Sequence, residues 1–430
     1  MFECERLILP NGLRIIITPM SNSSTITSMV MVLGGSRFES KEKRGISHFM
    51  EHMFFKGGVK YPTAFDLAKL VDAVGGRRNA STGKEDVMYF VKHGASCGNL
   101  GLDILADMII GGSFPEEELR KEQKVVLEEF NMRKDDPEVN LFDSFPEYLI
   151  YGDHPLGNSP IGTRETIQKI TRNDLFEYRN TFYKPNNMVI SVAGNINAQN
   201  FLQEIQDRFG RMTPGPVPEW RLFDGIRIKN NRVFTLPRKE MEQAVMILAV
   251  HGMGYQHRDY LPLHVLISLL GSGESSRLFQ EIREKKGLVY GIYSGGEMYK
   301  ESGLVLSQWE TSNENIEKSL RVVIDEYEKI KQYGIEEEEL KRVKGMIIGS
   351  KEMSCENNGY LAREYGQDEL MLGRVITFDE FCKIINEVTQ DDVLRLARTY
   401  LKTEKLKVAM AAEEKYCDKE KLEKILENAQ

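Results

Sequence analysis

The chain repeats itself. The segment FPEEELRKEQKVVLEE at 114–129 has a counterpart in IEEEELKRVKGMIIGS at 335–350, displaced by 221 residues. The segment TRNDLFEYRNTFY at 171–183 has one in TQDDVLRLARTYL at 389–401, displaced by 218. Acidic helix starts resemble one another in many proteins, but the second pair also aligns a Thr-x-x-Asp and a further Thr. Two matches in the same order at nearly one displacement point to a duplicated domain of about 200 residues. Between the copies lies MTPGPVPEW at 212–220, the densest proline cluster of the chain. Such a stretch resists both helix and sheet and reads as a linker. A chain of 430 residues is in any case too long for one hydrophobic core. The expected organisation is an N-terminal domain over 1–212, a linker over 213–220 and a homologous C-terminal domain over 221–430.

Each half mixes two hydrophobic periods. Branched or alternating runs mark strands: LRIIIT, SMVMVL and NMVISVAG in the first half, RVFTL, QAVMILAV and KVAMAA in the second. Helical patterns lie between them, such as PTAFDLAKLVDAVGG and SFPEEELRKEQKVVLEEF. The latter opens with Ser113 and Glu116 in capping-box spacing and Pro115 in its first turn. Both halves therefore belong to the α+β or α/β class.

Composition narrows the function. With 41% hydrophobic and 28% charged residues the profile is that of a soluble globular protein. A formal net charge of -8 argues against non-specific nucleic-acid binding and leaves basic peptides open as partners. The N-terminus MFECERLILPNGLRIIITP has no basic n-region or apolar h-region, and it lacks the Arg- and Ser-rich character of a transit peptide. No apolar run approaches membrane-spanning length, so no membrane association is expected. Five scattered cysteines (Cys4, Cys97, Cys355, Cys382, Cys417) form no CxxC pair. Reduced thiols in a cytoplasm fit this better than a disulfide framework.

The chemistry concentrates in HFMEH at 48–52. At about 100° per residue, His48, Glu51, His52 and Phe55 share one arc of a helix, and Ile46, Phe49, Met50 and Met53 share the other. One stripe can pack on a core while the other presents two imidazoles and a carboxylate. Zinc takes nitrogen, sulfur or oxygen ligands in tetrahedral array, and two His at i and i+4 supply two corners. Glu51 lies beside them without being forced to coordinate, as a general base should. The order H-x-x-E-H inverts the H-E-x-x-H metalloprotease motif. A His pair on a helix is also often structural, so a third ligand is needed. The acidic helix offers Glu122, Glu128 and Glu129. Glu122 and Glu129 are seven apart and share a face, whereas Glu128 points about 100° away. Periodicity favours Glu129 as ligand, with Glu122 behind it orienting the site or taking up protons.

GISHFMEHMFFKG resembles the signature of the pitrilysin-type (inverzincin, M16) zinc peptidases, especially the branch of mitochondrial processing peptidase and its bacterial homologues. The resemblance extends through LPNGLRIII at the start, NASTGKED at 79–86, HPLGNSPIG at 154–162 and SSRLFQEIREKKGLVYGIYS at 275–294. It implies one Zn2+ per chain held by His48, His52 and Glu129, with Glu51 as general base and Glu122 as the accessory glutamate. It implies an α+β fold of two homologous tandem domains, each a mostly antiparallel sheet packed with helices, together half of a clamshell. The repeat equivalents of Glu122 and Glu129 are Val343 and Ser350, so the C-terminal domain is expected to be metal-free.

The same resemblance implies further residues. Taken alone, Arg283 reads as a helix-end cation and Tyr290 as a strand tyrosine. Together they match the Arg–Tyr motif that the family sets opposite its zinc, to hold the substrate carbonyl and stabilise the oxyanion. In the family the two motifs face each other across a closed chamber of four domains. Two domains are only half of that, so a homodimer is expected, with Arg283 and Tyr290 acting on the partner's site. The alternatives are an active subunit paired with an inert sister chain, or a non-catalytic structural subunit. NASTGKED resembles the edge strand on which substrate adds as a β-strand, with Asn79 and Ala80 matching and Ser81 departing from the usual aromatic. Phe55 matches a position lining the pocket after the cut bond. Of the two acidic residues that read an arginine before the cut, Asp143 falls at the matching place. Glu138 is the nearest second candidate, but it is five residues away rather than four, and Val139 holds the matching position. Substrates are expected to be short unfolded peptides, cut at internal bonds.

Overall fold

The computed structural model describes residues 3–225 and 231–428. Contacts divide the chain into two compact units, and each takes a segment from the other's half of the sequence. The first comprises 1–132, 158–221 and 352–378, the second 133–157, 222–351 and 379–430.

The first unit is built on a six-stranded sheet of β1 (Glu5–Ile8), β2 (Arg14–Pro19), β3 (Thr25–Leu33), β4 (Arg77–Thr82), β5 (Asp86–Gly94) and β6 (Met188–Gly194), in the order β1-β2-β6-β3-β5-β4. Only β2 and β6 pair in parallel; every other pair is antiparallel. The sheet is apolar on both faces. On one, Ile15, Ile17, Val30, Val32, Tyr89 and Ile190 pack under helices that include Ile46–Phe54, Leu100–Gly111 and Arg172–Phe182. On the other, Ile16, Met29, Met31 and Val189 meet Leu361, Ala362 and Tyr365 of the helix Asn358–Leu372. Burial on two sides explains why β3 and β6 read as nearly unbroken apolar runs.

The second unit holds β7 (Val233–Arg238), β8 (Gln243–Met253), β9 (Val289–Met298), β10 (Ser302–Ser312) and β11 (Lys407–Glu413), in the order β7-β11-β8-β10-β9. Again one pair is parallel, β7 with β11, and the rest are antiparallel. Strand for strand this is the order β2-β6-β3-β5-β4 of the first sheet. The aligned Thr-x-x-Asp segments are equivalent as well: Thr171 with Asp174, and Thr389 with Asp392, each close a capping box at a helix start. The duplication is thus visible in topology and in local chemistry. The class is α+β, with mostly antiparallel sheets. In this unit the helix Pro137–Phe145 contributes Leu141 and Phe145 to the face of Val245, Ile247, Leu304 and Leu306.

The proline-rich stretch forms neither helix nor strand. It is nevertheless ordered against the first unit: Asn186 donates to Gly215 O at 2.8 Å, and the Trp220 ring lies 4.9 Å from that of Phe38. Among the described residues no helix is long and apolar enough to cross a membrane.

Candidate active site

The helix Ile46–Phe54 carries the HFMEH stretch and is anchored at three points. Its apolar stripe is fully enclosed: Phe49, Met50, Met53 and Phe54 have no measurable exposure. Phe54 sits in an aromatic nest, its ring 5.4 Å from Tyr89, 5.4 Å from Phe114 and 5.0 Å from Tyr183. At the start of the helix, Gly45 takes the left-handed conformation (φ 90°), where a side chain would also strike the Ile161 carbonyl. Gly45 has no side chain with which to cap the helix. The buried Glu39 carboxylate does so from outside, accepting from Gly45 N at 2.7 Å, Ser47 N at 2.9 Å and Ser47 Oγ at 2.6 Å. Burial pushes Glu39 up to about 7, against the hydrogen bonds from Ser47 and Gly45.

The opposite stripe meets the helix Glu116–Asp135. His48 Nε2 lies 3.6 Å from Glu129 Oε1, and His52 Nε2 lies 3.5 Å from Glu129 Oε2. One ligand atom from each of His48, His52 and Glu129 can be chosen so that all lie within 4.8 Å of one another. Ligands at zinc bond lengths stand about 3.4 Å apart in a tetrahedron, and two imidazoles with one carboxylate form a known catalytic donor set. The residues present therefore fit zinc, with one position left for water or substrate. His52 Nδ1 lies 2.8 Å from Glu122 Oε1, which leaves Nε2 as the nitrogen turned to Glu129. Glu122 also pairs with Lys56 Nζ at 2.5 Å. Burial would raise the Glu122 pKa, but His52 and Lys56 outweigh it and hold it below the usual range. For His52 burial acts downward, yet Glu122 and Glu129 outweigh it and lift its pKa to about 9. Glu122 and Glu129 thus favour positive charge at His52, the surrounding a cation site needs.

Glu51 lies on the same stripe, partly buried, and accepts a hydrogen bond from the Thr82 hydroxyl of β4. Burial raises its pKa; Thr82 and His52 oppose that rise. Along β4, residues Arg78, Ala80 and Thr82 share the partly buried face, while Arg77, Asn79 and Ser81 are exposed. Among the described residues β4 is an edge strand paired with β5 alone, which leaves its other rim to a further strand. Phe55, just past the helix, packs partly against the core with the Arg78 guanidinium 4.9 Å from its ring.

In the second unit, Arg283 lies in a π-helical turn over Phe279–Lys285 that ends at Gly287, whose φ of 61° allows the reversal into β9. The Arg283 guanidinium is 5.4 Å from the Tyr290 ring and 4.5 Å from that of Phe279. Tyr290 is 86% exposed on β9, one of the two edge strands of its sheet. The fold thus brings the two residues together at an open rim. Glu138 and Asp143 both have partners within this unit. Asp143 is held by Arg133 through two bonds of 2.9 Å, and Glu138 accepts from Gln308 at 2.5 Å.

Residues 14–164 match the family described as "Insulinase (Peptidase family M16)", and residues 169–347 match "Peptidase M16 inactive domain". The chain is 35% identical over 403 residues to the "Uncharacterized zinc protease YmxG" of Bacillus subtilis, covering 92% of this chain and 95% of that one. The chain belongs to the M16 peptidase family. A second relative, the "Uncharacterized zinc protease Rv2782c" of Mycobacterium tuberculosis, is 34% identical over 402 residues, covering 92% and 90%. Among solved structures, a protease from Helicobacter pylori aligns with a TM-score of 0.88 at 24% identity, over 96% of this chain and 99% of that one. The periplasmic protease PqqL from Escherichia coli aligns with a TM-score of 0.82 at 18% identity, over 99% of this chain but 50% of that one. One length of this M16 chain therefore corresponds in fold to half of PqqL. The inactive-domain match covers Val343, which stands where the first copy has Glu122. Thr82, Glu39 and Lys56 carry no signal in the sequence; a threonine opposite a helix carboxylate leaves no local pattern.

Proposed function

We propose that this M16 chain is a zinc-dependent endopeptidase hydrolysing internal bonds of short unfolded peptides. The observation that carries the reading is the convergence of His48, His52 and Glu129 beside Glu51, which shares their helix face and is held by Thr82. His48, His52 and Glu129 would hold one zinc per chain; when bound, it supplies a Lewis acid that polarises the scissile carbonyl and acidifies water. Glu51 takes a proton from the attacking water and delivers it to the leaving amine. Glu122 keeps His52 oriented. Substrate extends the sheet along β4 past Asn79 and Ala80, which fixes the peptide by its main chain and tolerates many sequences. Phe55 lines the subsite beyond the cut bond. Asp143, with Glu138 as the nearest second acid, would meet a basic side chain before the cut; Arg133 and Gln308 hold the two in the free protein.

The oxyanion donors are proposed to come from a second copy. Arg283 and Tyr290 offer a cation and a phenol O–H to developing negative charge, and in a homodimer each pair serves the other chain's zinc. The protein would work in a reducing compartment, the cytoplasm. The deciding experiment compares wild type with Glu51→Gln, both carrying zinc, on a pool of unstructured peptides read by mass spectrometry. Cleavage by wild type alone supports the reading, and cleavage by neither removes it. Light scattering tests the dimer: an active monomer near 49 kDa would end that part of the proposal.

A further inference from the structure

Arg78 stacks on an aromatic ring without a carboxylate bound to its N–H edge among the described residues. It sits on the partly buried face of β4, the face that reaches Glu51 through Thr82. Its guanidinium lies over the Phe55 ring at 4.9 Å. Among the described residues it makes no hydrogen bond and no ion pair. Burial pulls its pKa down, opposed only by longer-range attraction from Asp72. A guanidinium with one flat face on an aromatic ring keeps its N–H edge for a planar acceptor, and the acceptor it matches best is a carboxylate. Beside it lies a cavity of about 390 Å³ lined in part by Val71, Asp72, Gly76, Arg77 and Asn79. Two arginines against one aspartate leave this rim net positive in an acidic chain.

Strand geometry places the missing partner relative to the cut bond. Thr82, which touches the proposed base, and Arg78 are four residues apart on one face, about 13 Å along the strand. Apart from the β2–β6 pair this sheet is antiparallel, and β4 itself pairs antiparallel with β5. A peptide added antiparallel to β4 runs from the Thr82 end toward the Arg78 end, so the residue reaching Arg78 follows the one reaching the base.

We infer that Arg78, stacked on Phe55, binds an acidic side chain of the peptide on the C-terminal side of the cut bond. This rests on the peptidase reading above and gives it a substrate class: peptides with Glu or Asp within about four residues after the cut.

The test scans one Glu, and in a parallel series one Lys, through the four positions on either side of the cut in a 15-residue neutral peptide. Wild type, Arg78→Leu and Arg78→Glu are compared by kcat/KM. Wild type should prefer Glu to Lys on the order of tenfold at one C-terminal position, the worth of a charge-assisted hydrogen bond. Arg78→Leu should bring that ratio near one, and Arg78→Glu should invert it. In parallel, the fluorescence anisotropy of the labelled Glu and Lys peptides is followed with zinc-loaded Glu51→Gln and with Glu51→Gln/Arg78→Glu. This arm needs no turnover. If wild type cuts nothing but binding shows the Arg78-dependent preference for Glu, the peptidase reading falls and the Arg78 subsite stands. If the Glu-to-Lys ratio is the same with Arg78 and with Glu at position 78, in cleavage or in binding, the inference is overturned.

Discussion

The Thr82 hydroxyl of the edge strand donates to the Glu51 carboxylate of the metal-site helix. The contact ties the proposed base to the strand along which substrate would lie, so base and peptide bond share one frame. Thr82→Val removes the hydroxyl at nearly constant shape, whereas Thr82→Ser keeps it. We expect Thr82→Val to lower kcat about tenfold with KM little changed, and Thr82→Ser to stay within about threefold of wild type. Zinc content should be equal in all three. Equal kcat for the valine and serine variants would show that the hydroxyl does not position the base.

Glu122 reaches the candidate metal site through His52 and pairs with Lys56 as well. Replacing it frees the imidazole to rotate and to change tautomer, which lowers its quality as a ligand. Glu122→Ala should weaken zinc retention about 10–100-fold, and Glu122→Gln, which keeps one oxygen for His52, by less. Competition against a chromophoric chelator measures this directly. Unchanged retention in Glu122→Ala would leave Glu122 a packing role only.

How far these features could be read beforehand depends on how local they are. The two faces of the HFMEH helix follow from period alone, and the structure buries Phe49, Met50 and Met53 while leaving His48 and His52 partly open. Helical phase puts Glu129 on one face with Glu122 and turns Glu128 away, and the approach of Glu129 to both imidazoles follows from that phase. Thr82 could not be foreseen, because nothing in NAST says which side of an edge strand meets which helix. The same limit applies to segment exchange. Apolar periodicity says that Leu361 and Tyr365 need a partner, but not that the partner is Met31, more than 300 positions earlier. Arg78 shows the limit in another way: as one of two adjacent arginines it reads as solvated charge until Phe55 is found beneath it.

Glu39 makes stability depend on pH. Its folded pKa, pushed up to about 7 by burial, exceeds the ordinary 4.5 expected of the unfolded chain. Between those values the folded state holds a proton that the unfolded state has lost, so stability falls as pH rises. The contribution is fully present below about pH 4.5 and lost above about pH 7, some 2–4 kcal/mol in all. Glu39→Gln carries no proton to lose and should flatten this part of the profile. Urea unfolding of both proteins at intervals from pH 4.5 to 8 checks it; parallel profiles would place the titration elsewhere.

The helix Asn358–Leu372 offers the last test, since its sequence lies in the second half while its contacts lie in the first unit. Its opening residue, Asn358, is buried, and its amide donates to Thr25 O at 2.8 Å, Thr25 Oγ1 at 2.8 Å and Ser23 Oγ at 3.2 Å. Its carbonyl oxygen accepts from the fully buried Thr27 hydroxyl at 3.0 Å. Asn358→Ala leaves that buried hydroxyl without this partner, costing about 1–3 kcal/mol when dry, whereas Thr25 O keeps Ser23 Oγ and Asn195 N as donors. Asn358→Ala paired with Thr27→Val removes that orphan and should recover part of the loss. We expect about 1–3 kcal/mol destabilisation for the single variant and a smaller value for the pair, measured by urea unfolding. If instead the two substitutions simply added, Asn358 and Thr27 would not be coupled, and the helix would be held on this sheet by its apolar face alone.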